Sequence, residues 1–130
     1  MFPLRCSFGI ITDKLPECRD FYTRHFGFEV VADLGWYVHL RLTDGRCELG
    51  LVAPHRPELD TAWHAPFGGG AYLGLEVENV DVALSELVAA GVPIVVPMRD
   101  EPWGERHVVV RDPAGCLVNV WQRRSPTPCE

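Results

Sequence analysis

The residues whose types and order best suit molecular recognition lie at positions 100–107, Asp-Glu-Pro-Trp-Gly-Glu-Arg-His. Pro102 and Gly104 predict a turn that presents Trp103 at the rim of a sheet, where a large aromatic ring could stack on a flat ligand. His107 opens the next short strand and could hydrogen-bond the same ligand. The alternatives are that Trp103 packs against the protein itself and that His107 is a satisfied surface residue.

Further candidates are grouped by the alternation of side chains along strands. Asn119 and Trp121 share one face of their strand, so both face a pocket if either does. Two similar rows are Glu48-Gly50-Val52 and Tyr72-Gly74-Glu76. In the strand 36–42, Trp36 alternates with Tyr37 and His39, and the pattern does not decide which set faces inwards. In the following linker, Trp63 and Phe67 either cover a pocket mouth or pin the linker to the sheet.

Several kinds of chemistry are not indicated. No Ser-His-Asp or Cys-His order suggests a nucleophile. The glycines 68–70 precede a strand and not a helix, unlike a phosphate-binding loop. The five cysteines have the spacing of neither a disulfide framework nor a zinc ribbon, so they are interpreted as buried structural thiols, except Cys129 in a polar tail.

The first half of the chain predicts one helix and four strands. The helix begins at Pro16, with Asp13 near its start, and ends at Gly27. Its apolar face is formed by Cys18, Phe21, Tyr22, His25 and Phe26. Strands are expected at 4–12, Glu29–Ala32, Trp36–Leu42 and Cys47–Ala53, and Asp44-Gly45 predicts the hairpin turn between the last two.

The second half repeats this order 64 residues later, counted from Gly27 to Gly91. Its helix is capped by Asn79 or Asp81 and has an apolar face of Val80, Ala83, Leu84, Leu87 and Val88. Its strands are expected at Tyr72–Val77, Ile94–Pro97, His107–Arg111 and Leu117–Gln122. The sequence therefore predicts an α+β fold of two tandem βαβββ modules, whose sheets form a curved half-barrel cup with the helices on the outer face.

Residues 1–130 are expected to form a single domain, with modules at 4–53 and 71–122, a linker at 54–70 and a flexible tail at 123–130. Apolar residues make up 47% and charged residues 23%, which is typical of a globular protein. No apolar run reaches the length of a membrane helix and no signal peptide precedes the first strand, so a cytoplasmic location is expected. The net charge of −6 argues against nucleic acid as a partner.

The repeated module resembles the vicinal oxygen chelate superfamily, which includes glyoxalase I, extradiol dioxygenases, and fosfomycin- and bleomycin-resistance proteins. The resemblance spans about residues 4–122. It rests on Asp13, Arg19-Asp20-Phe21-Tyr22, Phe26-Gly27-Phe28, Glu76-Val77, Val80-Asp81 and Arg111-Asp112-Pro113-x-Gly115. It implies the paired-module fold but no single function, because one fold serves many functions.

Metal-dependent members of that superfamily have four ligand positions, which the resemblance carries to Cys6 or Ser7, Glu48, Tyr72 and Asn119. Only Glu48 is a ligand of the usual type, because Tyr72 replaces a His or Glu and Asn119 replaces a Glu. No metal or other cofactor is therefore expected. Glu48 is then either a polar group of the pocket or a solvated strand residue.

The order Glu-Pro-Trp-Gly-x-Arg before Arg-Asp-Pro-x-Gly is most similar to the bleomycin-resistance branch, whose members are homodimers that sequester an antibiotic. This likeness implies metal-independent binding of an aromatic small molecule, such as an antibiotic, by a homodimer. The expected ligand-binding residues are Trp36, His39, Glu48, Trp63, Phe67, Tyr72, Trp103, His107, Asn119 and Trp121. The alternatives are a metal-dependent lyase, isomerase or dioxygenase, a metal-free catalyst with Glu48 as its base, and a scaffold subunit without a ligand.

Overall fold

The structure is a computed structural model that describes residues 1–124 of the chain. The chain divides into two compact units, one for each half of the duplication. Each unit contains one four-stranded mixed sheet and one α-helix, which confirms the α+β fold of two tandem βαβββ modules.

The first module contains β1 (Phe8–Ile11), α1 (Leu15–Phe26), β2 (Glu29–Asp33), β3 (Tyr37–Arg41) and β4 (Glu48–Val52). The strand order is β1-β4-β3-β2, with β1 parallel to β4 and the other neighbours antiparallel. Pro16 lies in the first turn of α1. Gly27 ends the helix in the left-handed conformation, with φ of 70°, and its N–H donates to the carbonyl of Tyr22.

The second module contains β5 (Tyr72–Glu76), α2 (Val80–Ala89), β6 (Ile94–Glu101), β7 (Glu105–Arg111) and β8 (Leu117–Arg123). Its strand order, β5-β8-β7-β6, repeats that of the first module. Asn79 is the N-cap of α2, since its side-chain oxygen accepts from the N–H of Val82 at 3.1 Å. A second acceptor comes from the sheet, where Gln122 Oε1 lies 2.9 Å from the N–H of Val80.

In each module one face of the sheet forms the core with the helix. In the first, Val38 and Leu40 of β3 pair with Leu51 and Leu49 of β4, and all four are buried. In the second, Val108 and Val110 of β7 pair with Val120 and Val118 of β8, again fully buried. The alternate residues therefore lie on the opposite face, called here the open face of each sheet.

Four details differ from the sequence-based expectation. β1 begins at Phe8 and not near residue 4, because its neighbour β4 begins only at Glu48. The β6–β7 hairpin is longer than expected, because β6 continues past Pro97 to Glu101 and β7 begins at Glu105 and not at His107. An edge strand with register shifts tolerates Pro97, which lacks an N–H. Val88, which the sequence pattern assigned to the apolar face of α2, is exposed. The buried residues of that helix are Val80 and Leu87.

The fourth difference concerns the tail, because Arg123 is the last residue of β8. The rest of the expected tail, from Ser125 and including Cys129, lies outside the described residues. Between the modules, residues 61–63 form one turn of 3-10 helix, capped by Asp60. Within residues 1–124, each helix is too short or too polar to cross a lipid bilayer.

Candidate ligand-binding site

A pocket of about 270 Å³ lies on the open face of the second sheet. It is lined by Tyr72, Trp103, Glu105, His107, Val109, Leu117 and Asn119. Strand pairing explains why these residues meet. Tyr72 of β5 is paired with Leu117 of β8, and Val109 of β7 is paired with Asn119 of β8. The floor of the pocket is therefore a row of neighbouring residues across three strands.

Trp103 is presented by a tight hairpin between β6 and β7. Glu101 and Glu105 are the last paired residues, so only residues 102–104 form the turn, and Gly104 adopts a φ of 101° that favours glycine. The indole Nε1 of Trp103 donates to Glu105 Oε2 at 2.8 Å. This bond fixes one edge of the indole, while 64% of the residue remains exposed.

His107 lies at the centre of a polar network beside this tryptophan. Its Nε2 is 3.0 Å from Glu101 Oε2, and its Nδ1 is 2.7 Å from Asn119 Oδ1. The same Nδ1 is 3.3 Å from Glu105 Oε1. Side-chain oxygens of Glu101, Asn119 and Glu105 therefore face the two ring nitrogens and hold the imidazole in one orientation.

Two glutamates hold this network in place. Glu101 is buried, with 7% exposed, and its second carboxylate oxygen forms an ion pair with Arg99 at 3.1 Å. Glu105 accepts from the side-chain amide of Asn119 at 2.6 Å as well as from Trp103. Burial opposes ionisation of Glu105, but these two hydrogen bonds and the nearby His107 outweigh it and hold the pKa of Glu105 below its usual value.

The structure brings together four of the ten expected site residues in this pocket: Tyr72, Trp103, His107 and Asn119. Trp121 is paired with His107 on the same face but does not line the pocket. Its ring lies 5.1 Å from the guanidinium carbon of Arg123. The other five expected residues belong to the first unit of the chain.

The structure resolves which residues of β3 lie on the open face of the first sheet. Val38 and Leu40 are buried in the core, so Tyr37, His39 and Arg41 are the open-face set. His39 Nε2 lies 3.1 Å from Glu48 Oε1, and Glu48 is only 7% exposed. These two expected residues therefore form a carboxylate–imidazole pair in which the carboxylate is buried and the imidazole is partly exposed.

Three aromatic candidates remain, namely Trp36, Trp63 and Phe67. The Trp36 ring lies 5.2 Å from the guanidinium carbon of Arg56. Trp63 is half exposed in the 3-10 helix. The backbone N–H of Phe67 donates to the carbonyl of Ile11 at 2.7 Å, so the main chain of the linker is held against β1.

Sequence reasoning missed Glu101 and Glu105 as site residues. A signal for Glu105 was present, because it alternates with His107 and Val109 and so lies on their face of β7. Glu101 gave a weaker signal. Its place opposite Glu105 depends on β6 extending past Pro97, which the composition of that segment did not indicate.

The donor set does not fit the divalent metal ion on which some vicinal oxygen chelate proteins depend. Asn119 is paired with Gly74, and at the matching point of the first module Gly50 is paired with Gly9. Gly50, two residues after Glu48, is thus the counterpart of Asn119 and offers no side-chain ligand. Tyr72 and Asn119 supply only a phenol and an amide, which are poor ligands for such ions.

Comparison with known proteins identifies a family. The model of the Glyoxalase/Bleomycin resistance protein/Dioxygenase superfamily matches residues 6–120. A search of curated protein sequences gives no significant match.

Solved structures of similar fold include proteins of different kinds. Lactoylglutathione lyase from Agrobacterium tumefaciens is 25% identical with a TM-score of 0.72, over 92% of this chain and 94% of the lyase. TnmS3, an antibiotic binding protein from Streptomyces sp. CB03234, is 23% identical with a TM-score of 0.75, over 95% and 98%. A glyoxalase/bleomycin resistance protein/dioxygenase from Nocardioides is 16% identical with a TM-score of 0.78, over 100% and 91%.

Proposed function

Because this chain belongs to the glyoxalase/bleomycin resistance protein/dioxygenase superfamily, we propose that it binds and sequesters an aromatic small molecule, such as an antibiotic, without a metal ion. The superfamily includes both binding proteins and enzymes, so membership does not choose between them. The choice rests on the pocket of the second module. The observation that carries it is the exposed Trp103 ring, held by Glu105 at the edge of a pocket with a polar centre.

The pocket offers complementary contacts to a flat ligand with polar substituents. Trp103 supplies a stacking surface, and Val109 and Leu117 supply an apolar floor. Tyr72, His107 and Asn119 then orient the polar groups of the ligand. Glu105, ionised because its pKa is lowered, favours a ligand with a positively charged group near the aromatic ring.

Titration of the full chain with a panel of aromatic and glycopeptide antibiotics, followed by tryptophan fluorescence, tests this proposal. We expect at least one compound to give saturable quenching that persists in the presence of a chelator. If every compound fails to bind, or if binding is lost with the chelator, metal-independent sequestration is wrong.

Trp103→Ala tests the assigned contact with the compound identified in this way. Aromatic stacking contributes about 0.5–1.5 kcal/mol beyond the buried area, so we expect the dissociation constant to rise roughly tenfold. Trp103→Phe should restore much of the affinity, because a ring remains. Phe2→Ala is the control, since Phe2 is an exposed aromatic residue that is not among the expected site residues. Equal affinities of Trp103→Ala and the parent protein, measured by calorimetry, would remove Trp103 from the site.

An enzyme is the second candidate, and the partly buried pair of Glu48 and His39 favours it. A carboxylate 3.1 Å from an imidazole could move a proton in a lyase or isomerase reaction. Two measurements distinguish the enzyme from the binding protein. They are metal analysis of the purified protein and an assay for turnover of thiol-adduct substrates. Stoichiometric metal, or turnover that Glu48→Gln abolishes, would favour the enzyme over the binding protein.

We also propose that the protein is a homodimer and that it is located in the cytoplasm.

A further inference from the structure

Two cysteines precede neighbouring parallel strands at matching positions. In the ladder between β1 and β4, Phe8 is paired with Leu49 and Ile10 with Leu51. Cys6 and Cys47 lie just outside this ladder, each two residues before the pair Phe8–Leu49, so both precede the same end of the two strands. Neighbouring strands lie about 4.8 Å apart, which is within the Cα separation that a disulfide spans, about 4.4–6.8 Å.

The alternation of side chains along β1 and β4, continued to these flanking residues, puts Cys6 in phase with Phe8 and Ile10 and Cys47 in phase with Leu49 and Leu51. Ile10, Leu49 and Leu51 are all buried on the helix-bearing face. Cys6 and Cys47 therefore lie at the same margin of the first core.

The thiols interact electrostatically. Burial raises the pKa of the Cys47 thiol, and the nearby negative charges of the Cys6 thiolate and of Glu48 raise it further. This influence of Cys6 on Cys47 agrees with the strand register, which brings both residues to the same end of the sheet.

The two thiols also differ in accessibility from the other described cysteines. Cys6 is exposed and Cys47 is partly exposed, whereas Cys18 and Cys116 are fully buried. Burial raises the pKa of Cys116 to about 11, which leaves it almost entirely as the unreactive thiol. Residues 1–7 precede β1, so the backbone at Cys6 is free of the ladder and can adjust to form a bond.

We propose that Cys6 and Cys47 form a dithiol site that low-molecular-weight disulfides oxidise to an intramolecular disulfide. The exposed Cys6 thiolate attacks one sulfur of the small disulfide, forms a mixed disulfide and releases one small thiol. The Cys47 thiolate then attacks the sulfur of Cys6 and releases the second small thiol. Two protein thiols are oxidised to one disulfide, and one small disulfide is reduced to two thiols. The bond fastens the N-terminal segment to the strand that carries Glu48.

Peptide mapping after oxidation tests this site. The full chain with Cys129→Ser, which removes the thiol outside the described residues, is reduced, treated with oxidised glutathione and then alkylated. We expect mass spectrometry to find one linked peptide pair containing Cys6 and Cys47, with Cys18 and Cys116 alkylated only after denaturation. Dithiothreitol should reverse the link.

Two variants separate this result from random oxidation. Cys47→Ser should retain glutathione on Cys6, because the resolving thiol is absent, and Cys6→Ser should give no linked pair. Glutathione retained on Cys6 in the protein with both thiols would overturn the proposal. A link between two chains, or no modification of either residue, would equally exclude the site.

Discussion

At the scale of single residues, the second module concentrates charge around one imidazole. Glu101 and Glu105, the cross-strand pair on either side of the β6–β7 turn, lie 3.0 and 3.3 Å from the ring nitrogens of His107. Asn119 bridges His107 and Glu105 and so fixes the orientation of both. The polar centre of the pocket is therefore preorganised, which lowers the cost of ordering side chains when a ligand binds.

Replacing Glu105 by glutamine should lower the free energy of unfolding by about 1 kcal/mol at neutral pH. Glu105 accepts from both Trp103 and Asn119, and a glutamine side chain has only one oxygen to offer them. Urea denaturation measures the effect. Glu86→Gln on the exposed face of α2 is the control and should leave stability almost unchanged.

The pH dependence of this difference follows from the lowered pKa of Glu105. A carboxyl whose pKa is depressed in the folded state stabilises it above the pKa of the unfolded chain, and this contribution is lost as the pH falls through the folded-state value. The stability difference between Glu105→Gln and the parent protein should therefore be full at pH 7 and shrink in acid, below the usual glutamate range. A difference that stays constant well below that range would contradict the assigned role.

At the scale of elements, local signals predicted most of the fold. Gly27 marked the end of α1, and Asn79 was one of two predicted caps of α2, because these residue types have specific backbone or hydrogen-bonding roles. The ends of β1, β6 and β7 were not predicted well. Those ends depend on which strand lies alongside, information that period-two alternation does not contain.

The cap of α2 gives a prediction at this scale. Asn79→Ala removes the acceptor for the N–H of Val82 and should lower the free energy of unfolding by about 1 kcal/mol. Gln122 still accepts from Val80, so α2 should remain formed, as circular dichroism would report. Ser85→Ala in the exposed middle of α2 is the control and should not destabilise the protein. Equal losses for the two variants would contradict the cap.

At the scale of the whole molecule, the sequence predicted the duplication and the family but only part of the candidate site. Tyr72, Trp103, His107 and Asn119 were predicted because turn chemistry, strand alternation and the family likeness all pointed to them. Glu101 was not predicted, because its position depends on a hairpin register that becomes visible only when both strands are paired. The identity of the ligand was not predicted either, because it depends on the shape and charge of the folded pocket, which the order of residues does not reveal.

Exposed apolar residues of the first module provide a test of the proposed homodimer. Val30 and Val31 on the edge strand β2 and Leu34 after it are exposed. Such residues on an unpaired edge favour association. Sedimentation equilibrium should give about twice the chain mass of 14.6 kDa. Val31→Lys should shift the protein towards monomer, whereas Val82→Lys on α2 should not. A single-chain mass at all concentrations would exclude the dimer.

In strand β8, the odd-numbered and the even-numbered residues have different roles. Leu117, Asn119 and Trp121 lie on the open face, whereas Val118 and Val120 complete the core and Gln122 holds the start of α2. Substitutions at positions 117, 119 and 121 can therefore change what the open face recognises, with little effect on the stability of the fold. An insertion of one residue within β8 would exchange the two sets and damage both at once. Descendants of this gene should accordingly diversify by substitution in β8 and place their length changes in the turns.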